Sequence, residues 1–263
     1  MPELAEVVFY SRQWDAGLHE RILRVHVRPQ ARVFRGSDPG LIAEALTGTS
    51  YRAPFSHGKN MLFAFTGGVW LGGHLGMTGE LLAAPPDHTP LKHDHLVLFT
   101  AGAALICRDP RMFGLWRMDR GAGPPAWWRT LPPEILAKAF TVAHVSGLLR
   151  RRARSPLKSL LLDQSAFPGI GNWMADETLW QLRLHPSAPA GTVDAATLRK
   201  TLQSITRVAL RTIGRDWTDP PRPWLFQHRW KPGGHCPRCA TKLTRAGFRG
   251  RTACWCPTCQ AIR

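Results

Sequence analysis

Four cysteines near the C-terminus restrict what this chain can fold into more than any other feature. Cys236-Pro-Arg-Cys239 and Cys256-Pro-Thr-Cys259 form two C-x2-C knuckles separated by 16 residues. Four thiolates at this spacing match a tetrahedral structural site for one zinc ion. So short a segment has little core of its own, so the metal would supply much of its folding free energy. Five of the six cysteines lie in the last 28 residues, a clustering that argues for a metal site over a disulfide framework. Cys254 breaks the knuckle pattern and reads as a packed or free thiol, and Cys107, in an apolar run, reads as core. Between the knuckles lie Lys242, Arg245, Arg249 and Arg251. A zinc-pinned hairpin can deliver such a guanidinium to a phosphate.

Charge points the same way. The 263 residues carry a net charge of +17, and the excess is uneven. Residues 1–140 hold 15 Lys and Arg against 12 Asp and Glu, whereas residues 141–263 hold 20 against 6, a net of +14. Such a half calls for a polyanionic partner, with nucleic acid ahead of an anionic membrane surface. No long apolar span or targeting segment stands out, so a soluble, cytoplasmic protein is expected.

Periodicity divides the chain. Residues 3–16 read as a helix with Leu4, Val7, Val8 and Trp14 facing a core. Alternation at Leu23, Val25 and Val27 then marks a strand. Further β-type runs follow at 61–66, 69–75, 96–100, 104–107 and 115–118, which together suggest a β-sandwich domain over 1–125 with one leading helix. A Gly- and Pro-rich stretch marks a hinge, set at 126–140. Residues 141–227 are helical, with segments at 158–164, 173–182 and 194–213; the last carries Leu198, Leu202, Ile205, Ala209 and Ile213 as an apolar stripe behind Asp194 as N-cap. Residues 228–263 form the small cysteine module. The expected class is α+β and multidomain.

Two short stretches carry chemistry. In Gly169-Ile-Gly-Asn172, the glycines let backbone amides approach a phosphate, and Asn172 is placed to cap the following helix and donate to a phosphate oxygen. At the other end, the chain opens Met1-Pro2-Glu3-Leu4-Ala5-Glu6. Loss of Met1 would leave Pro2 with a free secondary amine, and an α-amino group titrates near pH ~8, so part of it is nucleophilic at neutral pH. Glu3 beside it can shuttle protons, and Glu6 adds a second carboxylate one turn on. Read alone, the stretch fits an ordinary helix start better than an active site.

Taken together, the motifs resemble the formamidopyrimidine-DNA glycosylase and endonuclease VIII family of bifunctional repair enzymes. The Pro2-Glu3 start, His74-Leu-Gly-Met77-Thr-Gly79, Asp109-Pro-Arg-Met-Phe113-Gly114, Pro156-Leu-Lys158 through Gln164, Gly169 to Asn172 and the four-cysteine finger follow the family's order along nearly the whole chain. The resemblance implies a helix-two-turn-helix module before a zinc-ribbon finger, and damaged double-stranded DNA as the partner of a monomeric, bacterial-type, nucleoid-associated enzyme. It implies that Pro2 attacks C1′ of a flipped nucleotide, releases the base through a Schiff base and nicks the strand by β/δ-elimination. It further implies proton transfer by Glu3, a supporting role for Glu6, and phosphate binding and catalytic assistance by Lys59. His74 then belongs to a DNA-binding loop. Met77, Arg111 and Phe113 fill the void left by the flipped base, and Lys158, Asn172 and Arg251 bind backbone phosphates. Three positions depart from the family pattern. Ala5 replaces a frequent Pro, Met112 a frequent Arg, and the short stretch from Gly214 to Cys236, with Trp217, Trp224 and Trp230, lacks the long loop of the 8-oxoguanine-type enzymes. A catalytically silent DNA binder on the same scaffold and a zinc-finger RNA binder are the alternative readings.

Overall fold

The computed structural model describes residues 2–214 and 219–262. It comprises two compact units, Met1–Pro2 with Glu6–Leu131 and Glu3–Ala5 with Pro132–Arg263. The leading helix α1 (Leu4–Arg12) continues as a 3-10 turn through Gln13–Gly17.

In the first unit, β1 (Arg24–Val27), α2 (Pro39–Leu46), β2 (Tyr51–His57), β3 (Asn60–Phe65), β4 (Val69–His74), β5 (Glu80–Ala84), β6 (Asp94–Phe99), β7 (Ala104–Arg108) and β8 (Leu115–Arg120) precede the short α3 (Ala126–Arg129). The strands make two antiparallel sheets, ordered β1-β6-β7-β5 and β2-β3-β4-β8. Alternation explains their faces. Leu96 and Leu98 join the main core with Trp14, Phe63 and Trp116, while Val97 and Phe99 point the other way and pack with Ala104 and Ile106. Trp14 anchors this core, its ring 4.7 Å from Phe63 and its indole N–H donating to the Ile106 carbonyl at 3.2 Å. Strand β2 escapes a sequence reading because Pro54 lies within it; the strand is at a sheet edge, where a missing N–H donor costs little. Helix α2 starts with Asp38 accepting from Gly40 N at 2.8 Å and Pro39 in its first turn.

The second unit holds α4 (Val142–Arg151), α5 (Leu157–Leu161), α6 (Asn172–Gln181) and α7 (Ala195–Thr212), then β9 (Thr244–Phe248) and β10 (Arg251–Trp255). Helix α7 is capped by Asp194, which accepts from Thr197 N at 2.7 Å, and its expected apolar stripe is buried. These residues share a core with Leu148, Leu157, Leu161, Phe167 and Met174. A smaller cluster of Trp180, Leu225, Cys236, Leu243, Cys254 and Cys256 lies under the finger. Strands β9 and β10 form a hairpin whose two turn residues, Arg249 (φ 46°) and Gly250 (φ 80°), both have positive φ, the conformation that matches strand twist in a two-residue turn. No described helix is long and apolar enough to cross a membrane.

Candidate functional site

The second residue, Pro2, is half-buried, and the carboxylate beside it is fixed firmly. Glu3 is buried and accepts three backbone hydrogen bonds: from Trp173 N (2.8 Å) on Oε1, and from Gly171 N (2.9 Å) and Met174 N (3.1 Å) on Oε2. These are unpaired amides of the first turn of α6, so a side chain from the far end of the sequence caps this helix and answers its positive dipole. Leu4 N donates to the Gly169 carbonyl at 3.1 Å and completes the seat. A Cβ on Gly171 would overlap the Glu3 carboxylate, which is why glycine is needed there. Asn172 therefore does not cap α6. It is the first helical residue, and its Nδ2 donates instead to the Thr252 carbonyl at 2.8 Å. Glu6 sits half-exposed in the first turn of α1.

In the first unit, strand register gathers five expected residues, Lys59, His74, Met77, Arg111 and Phe113, at one end of a sheet. Asn60 pairs with His74, and His74 with Leu115, so the Gly58-Lys59 turn and the loops at 75–79 and 109–114 neighbour one another. Gly58 has φ 58°, as the first position of this two-residue turn requires, and Lys59 is only 5% exposed. Burial and the charges of Lys59 and Arg35 lower the His74 pKa, so its imidazole is neutral at pH 7. Gly76 N donates to Nδ1 at 2.9 Å, which leaves the proton on Nε2.

The two flanking loops brace each other through Asp109, a buried residue to which the sequence reading gave no separate role. Its Oδ1 accepts from the Thr78 hydroxyl (2.7 Å) and Arg111 N (3.2 Å), and its Oδ2 from Gly114 N (2.7 Å). Gly76 packs so closely on the Phe113 carbonyl that a side chain has no room. The loops hold Met77 and Phe113 at 45% and 41% exposure, so neither is a core residue. Arg111 lies over the Phe113 ring at 4.6 Å. Large apolar groups held out on a braced loop are suited to entering a gap between bases.

In the second unit, Arg251 is exposed at the start of β10, next to the hairpin turn. Lys158 is placed differently. It is 0% exposed, and its ammonium donates to Asp176 Oδ1 at 2.5 Å and to the Thr252 carbonyl at 3.2 Å. The other Asp176 oxygen accepts from Arg229 Nη2 (2.6 Å) and Cys254 N (3.0 Å). In the sequence Asp176 stands in Ala175-Asp-Glu177, a stretch that resembles the helix-two-turn-helix module, but nothing there shows which cations it will pair with. Burial pushes the Glu177 carboxyl up to about 7, despite hydrogen bonds from Gln181 and from Phe226 N. Trp230, half-exposed, packs edge-on against Phe226, which in turn meets Trp173; Trp224 lies against the helical core, and Trp217 is outside the described residues.

The four knuckle cysteines converge, with all four Sγ atoms within 4.8 Å of one another. A tetrahedral zinc with Zn–S bonds of about 2.3 Å needs sulfurs about 3.8 Å apart, so the donor set fits one ion. The Trp180 indole N–H points at Cys236 Sγ at 3.3 Å, and Cys259 N at Cys256 Sγ at 3.4 Å, the outer contacts a thiolate site uses. Cys254, buried nearby, is not part of the cluster, and burial raises its pKa to about 11.

Comparison with known proteins covers the same territory. The formamidopyrimidine-DNA glycosylase N-terminal domain matches residues 1–116, the formamidopyrimidine-DNA glycosylase H2TH domain residues 131–219, and the zinc finger found in FPG and IleRS residues 233–262. Curated relatives named formamidopyrimidine-DNA glycosylase include one from Roseiflexus, 34% identical over 99% of this chain and 100% of its own length, and one from Nocardioides, 33% identical over 99% and 94%. Among solved structures, the Lactococcus lactis Fpg bound to abasic-site DNA superposes with a TM-score of 0.87, and MutM bound to DNA containing carbocyclic 8-oxo-G with 0.88. Both are 25% identical and cover 99% of this chain and 100% of theirs. With all three domains matched in order and end-to-end identity above 30%, this chain belongs to the formamidopyrimidine-DNA glycosylase family.

Proposed function

We propose that this protein is a base-excision DNA glycosylase with abasic-site lyase activity, and that the Pro2 amine is its nucleophile. The observation that carries the reading is the seat of Glu3: the carboxylate next to the amine is buried and held by three amide donors. A proton-transfer group so fixed cannot wander from the reacting sugar.

In this reading, Pro2, freed of Met1, attacks C1′ of an extruded nucleotide, and the base departs. The resulting Schiff base acidifies the adjacent carbon, so elimination breaks the strand on both sides of the lost nucleoside. Glu3 moves protons to and from the opening sugar, with Glu6 in support. Lys59 and the Nε2 proton of His74 hold phosphate beside the lesion. Met77 and Phe113 fill the vacated space while Arg111 hydrogen-bonds the orphaned base. Asn172 and Arg251 hold the backbone from the second unit. The DNA complexes of its relatives, with abasic-site and 8-oxo-G-containing strands, put abasic sites and oxidised or ring-opened bases at the head of the substrate list. A monomer acting on damaged duplex in the nucleoid fits this chemistry.

The test is incision. Purified protein with a homogeneous Pro2 N-terminus should cut an end-labelled duplex at an abasic site and at one or more oxidised bases, leaving phosphate on both ends. Binding without incision on every such duplex would leave only a silent damage binder. Gly171→Ala should slow base release by about a hundredfold, because it pushes Glu3 out of register, while zinc content stays at one ion. Rates within a few-fold of wild type would show that the seat does not matter.

A further inference from the structure

We propose that Asp176 is a positioning residue: it latches the finger strand β10 onto α6 so that Arg251 is presented to the DNA backbone, and Lys158 acts as a strut of that latch instead of as a phosphate ligand. The proposal rests on the DNA-repair reading above.

The geometry leaves Lys158 no route to a phosphate. Its side chain is fully buried, and its ammonium is engaged by Asp176 and by the Thr252 carbonyl. The same carbonyl accepts from Asn172 Nδ2. Two residues further along β10, Cys254 N donates to Asp176. The backbone from Thr252 to Cys254 is thus tied to α5 and α6 at both ends, and Arg251 is the residue just before it. Arg229, 5% exposed, closes the far side of the same carboxylate. One buried anion is therefore shared by two buried cations and a strand amide. A buried carboxylate in this role is costly to remove, because both cations are left without a counter-charge.

The chemistry predicts a division of labour among residues that a shared phosphate role would not. A side chain that neutralises a phosphate contributes about 0.9 to the slope of log affinity against log salt. A strut contributes nothing to that slope, though its loss weakens binding by loosening Arg251. Asn172 gives one amide hydrogen to the Thr252 carbonyl and keeps the second for a phosphate oxygen.

Binding of a duplex carrying a stable abasic-site analogue, measured by anisotropy over a range of salt, tests this. Arg251→Gln should flatten the salt slope by about 0.9. Lys158→Gln should leave the slope at the wild-type value while affinity falls by up to about tenfold. Asp176→Asn should weaken binding about tenfold in the wild-type background but by less than about threefold in Arg251→Gln, since both act through one guanidinium. A slope flattened by Lys158→Gln, or losses from Asp176→Asn and Arg251→Gln that simply multiply, would overturn the proposal. If Asp176→Asn fails to fold, the Lys158→Gln slope decides. Hydrogen exchange provides a readout without DNA: the Cys254 amide should exchange at least about tenfold faster in Lys158→Gln. Unchanged exchange would refute the latch, whereas failure of the wild type to prefer damaged duplex would refute the repair reading alone.

Discussion

Replacing Glu3 with Gln should lower the rate of base removal by about a thousandfold, within the range expected for loss of a positioned acid–base group. Affinity for an abasic-analogue duplex should change by no more than a few-fold. The split follows from the site. The carboxylate oxygens accept from Gly171, Trp173 and Met174, and all three partners are donors. A glutamine keeps one acceptor oxygen but turns an NH2 toward backbone N–H groups. The helix end then loses its counter-charge, at a cost of about 1 kcal/mol, which a folded domain survives. What it cannot replace is the transferable proton. Single-turnover base release measured beside equilibrium binding separates the two effects. A variant that still releases base within tenfold of wild type would remove Glu3 from the chemistry.

Removing zinc should have the other large effect. A chelator under reducing conditions is expected to unfold the finger and to reduce binding of lesion duplex by on the order of a hundredfold, with incision lost in parallel. Of the buried cluster beneath it, the finger itself supplies four residues, Cys236, Leu243, Cys254 and Cys256, three of them cysteines, so burial alone cannot hold it. A structural zinc contributes on the order of 10 kcal/mol to such a module. Its collapse would release both the Arg251 guanidinium and the Thr252 carbonyl that Lys158 and Asn172 share. Cys256→Ser should behave like chelation, whereas Cys254→Ser, at a buried thiol outside the cluster, should retain one zinc. Full activity in the metal-free protein would show the finger to be dispensable.

The features legible in the sequence are those whose physics is local. The two knuckles declare a metal site through spacing alone, and the four sulfurs do converge. Helix α7 reads from its stripe and its aspartate cap. Glycine-flanked Met77 and Phe113 are exposed, as residues held in loops should be. Features that depend on distant partners are not legible. The true cap of α6 comes from Glu3, more than 160 positions away, so Asn172, the obvious local candidate, was given a role it does not fill. Lys158 reads as a cation for phosphate because nothing nearby shows that Asp176 will bury it. Asp176 draws its partners from 18, 53 and 78 residues away. Pro54 hides an edge strand that only the sheet order explains. Charge and motif order thus reveal the kind of partner, while the arrangement that meets it is decided by long-range pairing.

The most direct test of the central claim is covalent trapping. The protein, with Met1 removed and Pro2 at its N-terminus, is mixed with an abasic-site duplex and borohydride, and the adduct is digested and sequenced by mass spectrometry. The account predicts a stable cross-link on the Pro2 nitrogen, and none when the N-terminus keeps Met1. Absence of a cross-link from a homogeneous Pro2 protein, or a cross-link on Lys59 in place of Pro2, would contradict it.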